Sequence, residues 1–299
     1  MKATLSNLSL TAIAPIVWGT TYLVTTEFLP GFSPMTVALL RALPAGLLLL
    51  AIVRRLPSGI WWMRSLILGA LNISMFLSML FIAAYRLPGG VAGTVLSAQP
   101  LIVVFLASFL LSNRIRPLAI AAAVIGMGGV ALLVLTPSAA LDWAGIIAGL
   151  AGATSMALGG VLARKWQPPV SPLSFTSWQL TAGGLLLVPV VLLVDRSIPI
   201  PTFSNLVGLT WLGLIGAALT YVLWFRGIGR LAPSVVSSLL FLSPLTAVLL
   251  GWAVLGQSLT ALQIAGIALV VGSIWLGQRA NDGIEPPPEA EHDATNVTP

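Results

Sequence analysis

The sequence has no cysteine, one histidine and few charged residues. Without cysteine the chain can form neither a disulfide nor a thiolate nucleophile nor a cysteine-ligated metal site. The histidine, His292, lies in the polar C-terminal segment. Charged residues make up 7% of the chain, whereas soluble domains carry about 25%. The side chains for metal binding and acid–base catalysis are therefore largely missing, and we expect no cofactor and no enzymatic activity.

What the chain has instead is a nearly continuous excess of apolar residues. Hydrophobic residues make up 58% of the sequence, and the mean hydropathy is +1.02. Runs of about 20 such residues can cross about 30 Å of hydrocarbon as α-helices. They predict an all-α integral membrane protein with ten spans, numbered in chain order: Leu8–Thr26, Pro34–Val53, Leu66–Tyr85, Pro88–Leu111, Leu118–Leu135, Trp143–Leu162, Leu173–Val194, Leu206–Phe225, Leu231–Leu255 and Ala261–Leu276.

The basic residues indicate the orientation of these spans. They are scattered through short connections and form no patch, so the net charge of +6 does not predict a nucleic-acid partner. Most Lys and Arg residues, such as Arg54, Arg114 and Lys165, share a side with the N-terminus. The positive-inside rule then predicts cytoplasmic termini. As an alternative, the first run is a cleavable signal peptide, although it continues to Leu29 without a clear cleavage site.

Acidic residues are missing from the interior of every predicted span. Five of the eight Asp and Glu residues follow Asn281, in a proline-containing segment that we expect to be a disordered tail. The other three, Glu27, Asp142 and Asp195, each lie at the end of an apolar run. A proton relay through the membrane core normally uses a buried carboxylate. The sequence offers none, so we expect any activity in the membrane to be independent of one.

The two halves of the chain resemble each other. Aligning Pro100 with Pro244 superposes spans 3 to 5 on spans 8 to 10 without a gap, and aligning Trp18 with Met156 superposes spans 1 and 2 on spans 6 and 7. Because each half holds an odd number of spans, the second half must enter the membrane in the opposite sense. Inverted repeats of this kind place a substrate site near the midplane and allow alternating access. The predicted divisions are 1–137, 138–280 and the tail 281–299.

Short segments of the chain resemble a known transporter family. Span 1 contains Val17-Trp18-Gly19-Thr20-Thr21, and span 2 contains Leu40-Arg41 within the segment 37–46. With the prolines of spans 4 and 9 and the arrangement of five plus five spans, residues 8–278 resemble the EamA-type transporters of the drug/metabolite transporter superfamily. Within it, the chain is similar to bacterial aromatic and general amino-acid exporters. The resemblance implies a secondary transporter of the bacterial inner membrane that exports small metabolites, first of all amino acids.

Polar and aromatic side chains share helix faces in several spans, as Tyr221 and Trp224 do in span 8. Such a mixture suits a pocket for a small zwitterion with an apolar side chain. The alternative for each polar group is a hydrogen bond to a neighbouring helix. The residues expected to line the cavity are Trp18, Arg41, Asn72, Phe76, Met79, Thr94, Ser97, Gln179, Tyr221, Trp224, Ser237 and Phe241.

Three features of these spans have two interpretations each. Arg41, a charge within a span, binds a substrate carboxylate or, alternatively, extends to the outer surface or pairs with Glu27. Pro100 and Pro244 act as hinges of a gate or as fixed kinks needed for packing. Small residues in spans 5 and 6, including Gly145, bring helices together within a monomer or in a homodimer.

The residues argue against three other functions. An enzyme in the membrane would need nucleophiles or paired carboxylates within the spans. A cationic-drug antiporter would need a buried acid, and a sugar-phosphate transporter would need several buried bases rather than Arg41 alone. Transport of another small metabolite or drug stays open as the alternative to amino acids.

Overall fold

The computed structural model describes residues 2–87, 89–134, 142–195, 199–256 and 258–280. Ten helices among these residues are long and apolar enough to cross a membrane, which confirms the predicted fold class. The predicted tail 281–299 lies outside the described residues. The helices are α1 (Lys2–Phe28), α2 (Pro34–Val53), α3 (61–86), α4 (89–111), α5 (Pro117–Val134), α6 (Trp143–Lys165), α7 (Pro172–Val194), α8 (Phe203–Arg230), α9 (Pro233–Leu255) and α10 (Ala261–Arg279).

Several helices extend farther on the predicted cytoplasmic side than the hydropathy indicated, and α1 begins at Lys2 rather than at Leu8. α3 begins at Trp61 rather than at Leu66, and α8 continues to Arg230 rather than ending at Phe225. The turns added to α3 and α8 carry arginines, whose aliphatic stems cover apolar surface while the charged ends reach water. The Arg64 guanidinium lies over the Trp61 ring, with its central carbon 4.9 Å from the ring centroid. Apolar runs therefore underestimate helices that end in arginine and tryptophan.

The second helix of each half begins with the same cap. Ser33 precedes α2 and its hydroxyl accepts from the Thr36 amide, and Ser171 does the same for α7 with the Ser174 amide. A proline follows each serine at the first helical position. Serine at the cap satisfies one of the amides without an intrahelical partner, and proline at this position loses no hydrogen bond. The Ser-Pro pairs thus fix where both helices start.

The fourth helix of each half is interrupted near the middle of the span. α4 consists of Gly89–Leu96 and Gln99–Leu111, and α9 consists of Pro233–Ser238, a 3-10 turn at Leu239–Phe241, and Leu242–Leu255. Pro100 and Pro244 lie just after these interruptions. Proline has no amide donor and crowds the preceding turn, which explains the position of both breaks. Their use as hinges stays a prediction.

The third helix of each half contains a π-helical segment. In α3 it covers Ala70–Met75 and in α8 it covers Trp211–Leu219. The two segments overlap when Pro100 is aligned with Pro244. π segments are rare and occur often at functional sites, because they change the hydrogen bonds of the carbonyls around them. The middle of α3 and of α8 is therefore a place to look for a site.

Glycines bring α2 and α7 into contact where the halves meet. A Cβ atom added at Gly46 would lie 2.5 Å from the Thr181 amide nitrogen, and one added at Gly184 would lie 2.7 Å from Leu43 Cα. Gly46 and Gly184 are equivalent in the repeat. Only a residue without a side chain allows backbones to approach this closely. The α2–α7 crossing is a main contact between the halves.

The other helix contacts follow the same pairing of equivalent helices. α1 packs against α8 and α9, and α6 packs against α3 and α4. α5 packs against α10, its own equivalent. This arrangement is expected for two related halves, each of which places its first helix against the third and fourth helices of the other. Parts of α1, α2, α3, α4, α6, α8 and α9 surround a central space between the halves.

Candidate functional site

A cavity of about 230 Å³ lies between the halves. Most of its wall is apolar or aromatic. Among its described lining residues, Arg41 is the only one with a formal charge. The wall is formed by Trp18, Thr21, Thr25, Arg41, Phe76, Leu77, Leu80, Gly93, Leu96, Ser97, Gln99, Pro100, Met156, Tyr221, Leu240, Phe241, Ser243 and Pro244. This set includes six of the residues predicted to line a cavity and both predicted hinge prolines.

The cavity extends from the middle of the helices towards one end of the bundle. On α1 its wall runs from Trp18 to Thr25, which lies within one turn of the end of the helix at Phe28. Trp18 is ten residues before that end, a distance of about 15 Å and thus about half of a 30 Å membrane core. In the predicted orientation, this end of α1 is the outer one. In that orientation the cavity approaches the outer side, and it ends near the middle of the helices.

Aromatic rings close the inner end of the cavity. The Trp18 ring centroid lies 5.2 Å from that of Tyr221 and 5.2 Å from that of Trp224. The indole nitrogen of Trp18 donates to the Gly216 carbonyl at 3.1 Å and to the Thr220 hydroxyl at 3.0 Å. Because its one donor is engaged, Trp18 presents a fixed apolar face to the cavity. Such a surface suits an apolar or aromatic part of a ligand.

Arg41 is held at the wall by a single hydrogen bond. Its side chain is 9% exposed, and Nη2 donates to the Gly216 carbonyl at 2.8 Å. The Nε atom is buried without a hydrogen-bond partner. Glu27 is exposed and is not the counter-ion; among the described residues the observed ion pair joins Arg86 and Asp142 at 3.6 Å. A buried guanidinium without an anionic partner is costly, and an anionic ligand would compensate it.

The π segment of α8 leaves the Gly216 carbonyl available to accept the hydrogen bond from Arg41. The Thr220 amide donates to the carbonyls of Ile215 and Ala217 and bypasses Gly216. The Gly216 carbonyl instead accepts from two side chains that lie on other helices, Trp18 and Arg41. In a regular α-helix this carbonyl would accept from the amide four residues later. The irregular segment thus positions the two most distinctive side chains of the cavity.

Asn72 and Gln179 lie outside the cavity wall and bond to each other. The Asn72 amide donates to Gln179 Oε1 at 2.9 Å, and Gln179 Nε2 donates to the Phe175 carbonyl at 3.4 Å. Both side chains are buried. Gly159 is required beside them, because a Cβ atom there would lie 2.2 Å from Asn72 Oδ1. In this conformation the pair joins α3 to α7. A hydrogen bond to a neighbouring helix is the alternative that the sequence offered to lining the cavity.

Four further candidates also lie away from the wall. Met79 packs against Ala83 and Ala148 between α3 and α6. Thr94 follows the wall residue Gly93 but does not itself line the cavity, and its carbonyl accepts from the Ser97 hydroxyl at 2.6 Å. Trp224 and Ser237 border a smaller cavity of about 30 Å³ on the inner side of the aromatic rings. Their contribution to substrate binding stays a prediction.

Several wall residues were missed, and some had a signal in the sequence. Thr21 and Thr25 follow Trp18 at three and seven residues, which places them on its face of α1. Gln99 and Ser243 each precede one of the aligned prolines. Met156 is the residue that aligns with Trp18 in the repeat. The aliphatic residues of the wall carry no signal that separates them from lipid-facing ones.

The three carboxylates at the ends of spans lie outside the cavity wall. Asp195 accepts from the hydroxyls of Ser33 and Thr36 and so joins the end of α7 to the start of α2. Asp142 caps α6 by accepting from the Gly145 amide at 2.9 Å and pairs with Arg86. These contacts give both aspartates structural roles at the predicted outer surface. No acidic residue is among the described residues of the wall.

The glycines of α6 face other helices of the same chain. A Cβ atom at Gly145 would lie 2.6 Å from Leu87 Cγ, and one at Gly149 would lie 2.8 Å from Val95 Cγ1. These glycines therefore allow α3 and α4 to approach α6, as expected for a role within the monomer. The alternative, a homodimer through the small-residue faces of α5 and α6, stays a prediction.

Comparison with known families matches residues 5–135 and 143–277 to the EamA-like transporter family. Each match covers five helices. The chain belongs to the EamA-like transporter family. This confirms the resemblance found in its motifs, and it makes the protein a multi-pass membrane transporter of small metabolites.

Relatives in this family cover nearly the whole chain. Protein PecM of Dickeya dadantii is 45% identical over 267 residues, which are 89% of this chain and 90% of PecM. The uncharacterized inner membrane transporter YedA of Escherichia coli is 26% identical over 87% of each chain. A probable amino-acid metabolite efflux pump of Salmonella typhimurium is 24% identical over 89% of this chain and 93% of the pump. A solved crystal structure shares the fold, with a TM-score of 0.79 and 21% identity over 92% of this chain and 98% of that chain.

Proposed function

We propose that this EamA-family protein exports amino acids or closely related small metabolites across the bacterial inner membrane. The observation that carries the proposal is the combination of one buried guanidinium, Arg41, with aromatic rings in a cavity near the midplane. A carboxylate would supply the anionic partner that Arg41 lacks. The apolar part of the same molecule would pack against Trp18 and Tyr221.

The size and charge of the cavity support a small ligand with a single acidic group. Pockets for drug-sized ligands have volumes of about 300–1,000 Å³, whereas this cavity has about 230 Å³. A phosphate-bearing substrate would call for several bases, and a cationic one for an acid. The described wall has one arginine and no acid. An amino acid matches this charge, with its ammonium group directed to hydroxyl, amide or carbonyl oxygens such as those of Ser97 and Gln99.

Two relatives support the direction and location of transport. The Salmonella relative is named a probable amino-acid metabolite efflux pump, and the Escherichia coli relative is named an inner membrane transporter. At 24% and 26% identity, neither name fixes the substrate of this chain. The cavity chemistry supports a small metabolite as the substrate, and the name of the Salmonella relative supports outward transport. Alternating access between the two halves would move the substrate past the aromatic rings.

The proposal is tested with purified protein in liposomes loaded with single compounds. The panel contains large and small amino acids, their carboxamides, and neutral sugars. The measured quantity is the rate of efflux above that of protein-free liposomes loaded with the same compound. Efflux of amino acids, with little of the carboxamides or sugars, is expected. Substituting Tyr221 by Ala should change the relative rates of large and small amino acids by about tenfold, because apolar contacts discriminate by about 1–3 kcal/mol. Efflux of sugars but not of amino acids would contradict the proposal.

A further inference from the structure

When the two halves are aligned, the residues of the cavity wall fall into two groups: those whose equivalent in the other half also lines the cavity, and those whose equivalent does not. Twelve of its residues form six equivalent pairs in which both members line the cavity. These residues surround the inner end near the breaks of α4 and α9. The pairs are Trp18 and Met156, Leu77 and Tyr221, Leu96 and Leu240, Ser97 and Phe241, Gln99 and Ser243, and Pro100 and Pro244.

The other six wall residues all belong to the first half of the chain. They are Thr21, Thr25, Arg41, Phe76, Leu80 and Gly93. Their equivalents in the second half are outside the wall, and every one of them is buried: Gly159, Ala163, Gln179, Thr220, Trp224 and Ser237. One half is thus open where the same positions of the other half are closed.

The closed half is held together by Arg164 on α6. Its Nη1 atom donates to the Ile228 carbonyl at 2.6 Å and to the Leu231 carbonyl at 2.8 Å, at the end of α8. α6 and α8 are in contact there. Their equivalents α1 and α3 both contribute residues to the open cavity wall. A residual cavity of about 30 Å³, bordered by Arg164, Trp224 and Ser237, remains between the closed helices.

We infer that Arg164 is the latch that keeps the second half closed: when it releases α8, the opposite face gains a second vestibule, formed by α6, α7, α8 and α9, as alternating access requires. The wall of this vestibule consists of the six buried equivalents named above. The inference rests on the proposed transport function, and it adds the residues that a substrate meets on the other side of the aromatic rings. Related halves with similar packing allow two arrangements of comparable free energy, in which the open and closed roles are exchanged.

Single cysteines test the inference, because the chain has none of its own. Ser237 and Ser273 make a matched pair. Both are buried, both donate to the carbonyl three residues earlier, and Ser273 lies on α10 away from the vestibule. Ser237→Cys, Ser273→Cys and Thr25→Cys are treated in oriented membrane vesicles with a membrane-impermeant methanethiosulfonate applied to one face at a time. The measured quantity is the rate of modification.

The expected result has two parts. Thr25→Cys reacts from one face and Ser237→Cys from the opposite face. Ser237→Cys also reacts at least about tenfold faster than Ser273→Cys, since a difference of this size corresponds to about 1.4 kcal/mol in the free energy of opening. Equal rates for the two buried cysteines, or modification of Ser237→Cys from the face that reaches Thr25→Cys, would overturn the inference.

Arg164→Gln, combined with each cysteine, tests the latch separately. Loss of the charged donor should favour the alternative arrangement, so the rate for Ser237→Cys rises by about tenfold and the rate for Thr25→Cys falls. The reciprocal change distinguishes exchange of the two vestibules from general loosening, which would raise both rates. A rise at Ser237→Cys without a fall at Thr25→Cys would refute the role of Arg164. If this variant does not fold, the comparison of Ser237→Cys with Ser273→Cys still decides the inference.

Modification rates do not depend on the identity of the substrate. Opposite-face labelling without amino-acid efflux would therefore retain the second vestibule and refute only the proposed substrate class. Efflux of amino acids with unreactive Ser237→Cys would retain the substrate class and refute the vestibule.

Discussion

Replacing Arg41 by glutamine should reduce transport of carboxylates without reducing stability. The guanidinium is buried with one hydrogen bond, to the Gly216 carbonyl, and an unpaired Nε atom. Its desolvation is therefore poorly compensated in the empty protein, and a neutral side chain of similar length removes that cost. We expect the thermal unfolding temperature of Arg41→Gln to equal or exceed that of the unaltered protein. Residues kept for function rather than for folding show this combination.

The magnitude for transport follows from the bond that the substrate loses. A hydrogen bond to a charged group contributes about 1.5–3 kcal/mol, which corresponds to a loss of about 10- to 150-fold in affinity. Arg41→Lys keeps the charge but not the planar pair of donors. We expect it to restore part of the affinity lost in Arg41→Gln. A general loss of packing would not discriminate between these two variants.

The assay compares an amino acid with its own carboxamide in the same liposomes. Arg41→Gln should lower the rate of efflux of the amino acid towards the low rate expected of its carboxamide and leave the carboxamide rate nearly unchanged. Monodisperse elution and the unfolding temperature serve as controls for folding. Equal losses for both compounds, or a strongly lowered unfolding temperature, would mean that Arg41 holds α2 against α8 and does not bind the carboxylate.

Three further outcomes are expected. Gly184→Leu should destabilise the protein by about 1–3 kcal/mol, because its Cβ atom would lie 2.7 Å from the α2 backbone. Gly128→Leu is the control and should not destabilise it, because a Cβ atom there would have no atom within 4 Å. Equal unfolding temperatures of the two variants would contradict this prediction. Asp195→Asn should lower the unfolding temperature, because two hydroxyls donate to this carboxylate. It should leave the pH dependence of efflux unchanged. Loss of that pH dependence would mean that Asp195 couples transport to protons. A cysteine at Ser58 should react with impermeant reagents only from the cytoplasmic face, and labelling of intact cells would reverse the assigned topology.

Much of the fold could be predicted because the membrane restricts the possibilities. Hydrocarbon leaves backbone amides and carbonyls no partner outside the chain, so each apolar run of sufficient length must become a helix. All ten predicted spans correspond to helices. The ends were less predictable at α1, which begins six residues before the apolar run, and at α3 and α8, where arginines continue the helix past the run. The π segments were not predicted at all, because they arise from contacts with other helices and not from local composition.

The cavity wall was predicted in part, for a different physical reason. Distinctive residues such as Trp18, Arg41 and Tyr221 line the cavity, since aromatic and charged groups are poor neighbours for lipid and concentrate inside the bundle. The same argument selected Asn72 and Gln179, which instead satisfy each other. A sequence shows that a polar group needs a partner inside the bundle. It does not show whether that partner is a ligand or another helix.

The remaining differences have a common origin in the repeat. Gln179, Trp224 and Ser237 were predicted to line the cavity, and in this structure they are buried at the positions equivalent to Arg41, Leu80 and Gly93, which do line it. A sequence pattern describes every conformation that the chain visits, whereas one structure describes a single arrangement of the halves. If the second vestibule opens as inferred, these three residues belong to the substrate path in the alternative arrangement. Arg41 would then contribute its charge to the outer vestibule, and the neutral Gln179 would take its place in the inner one.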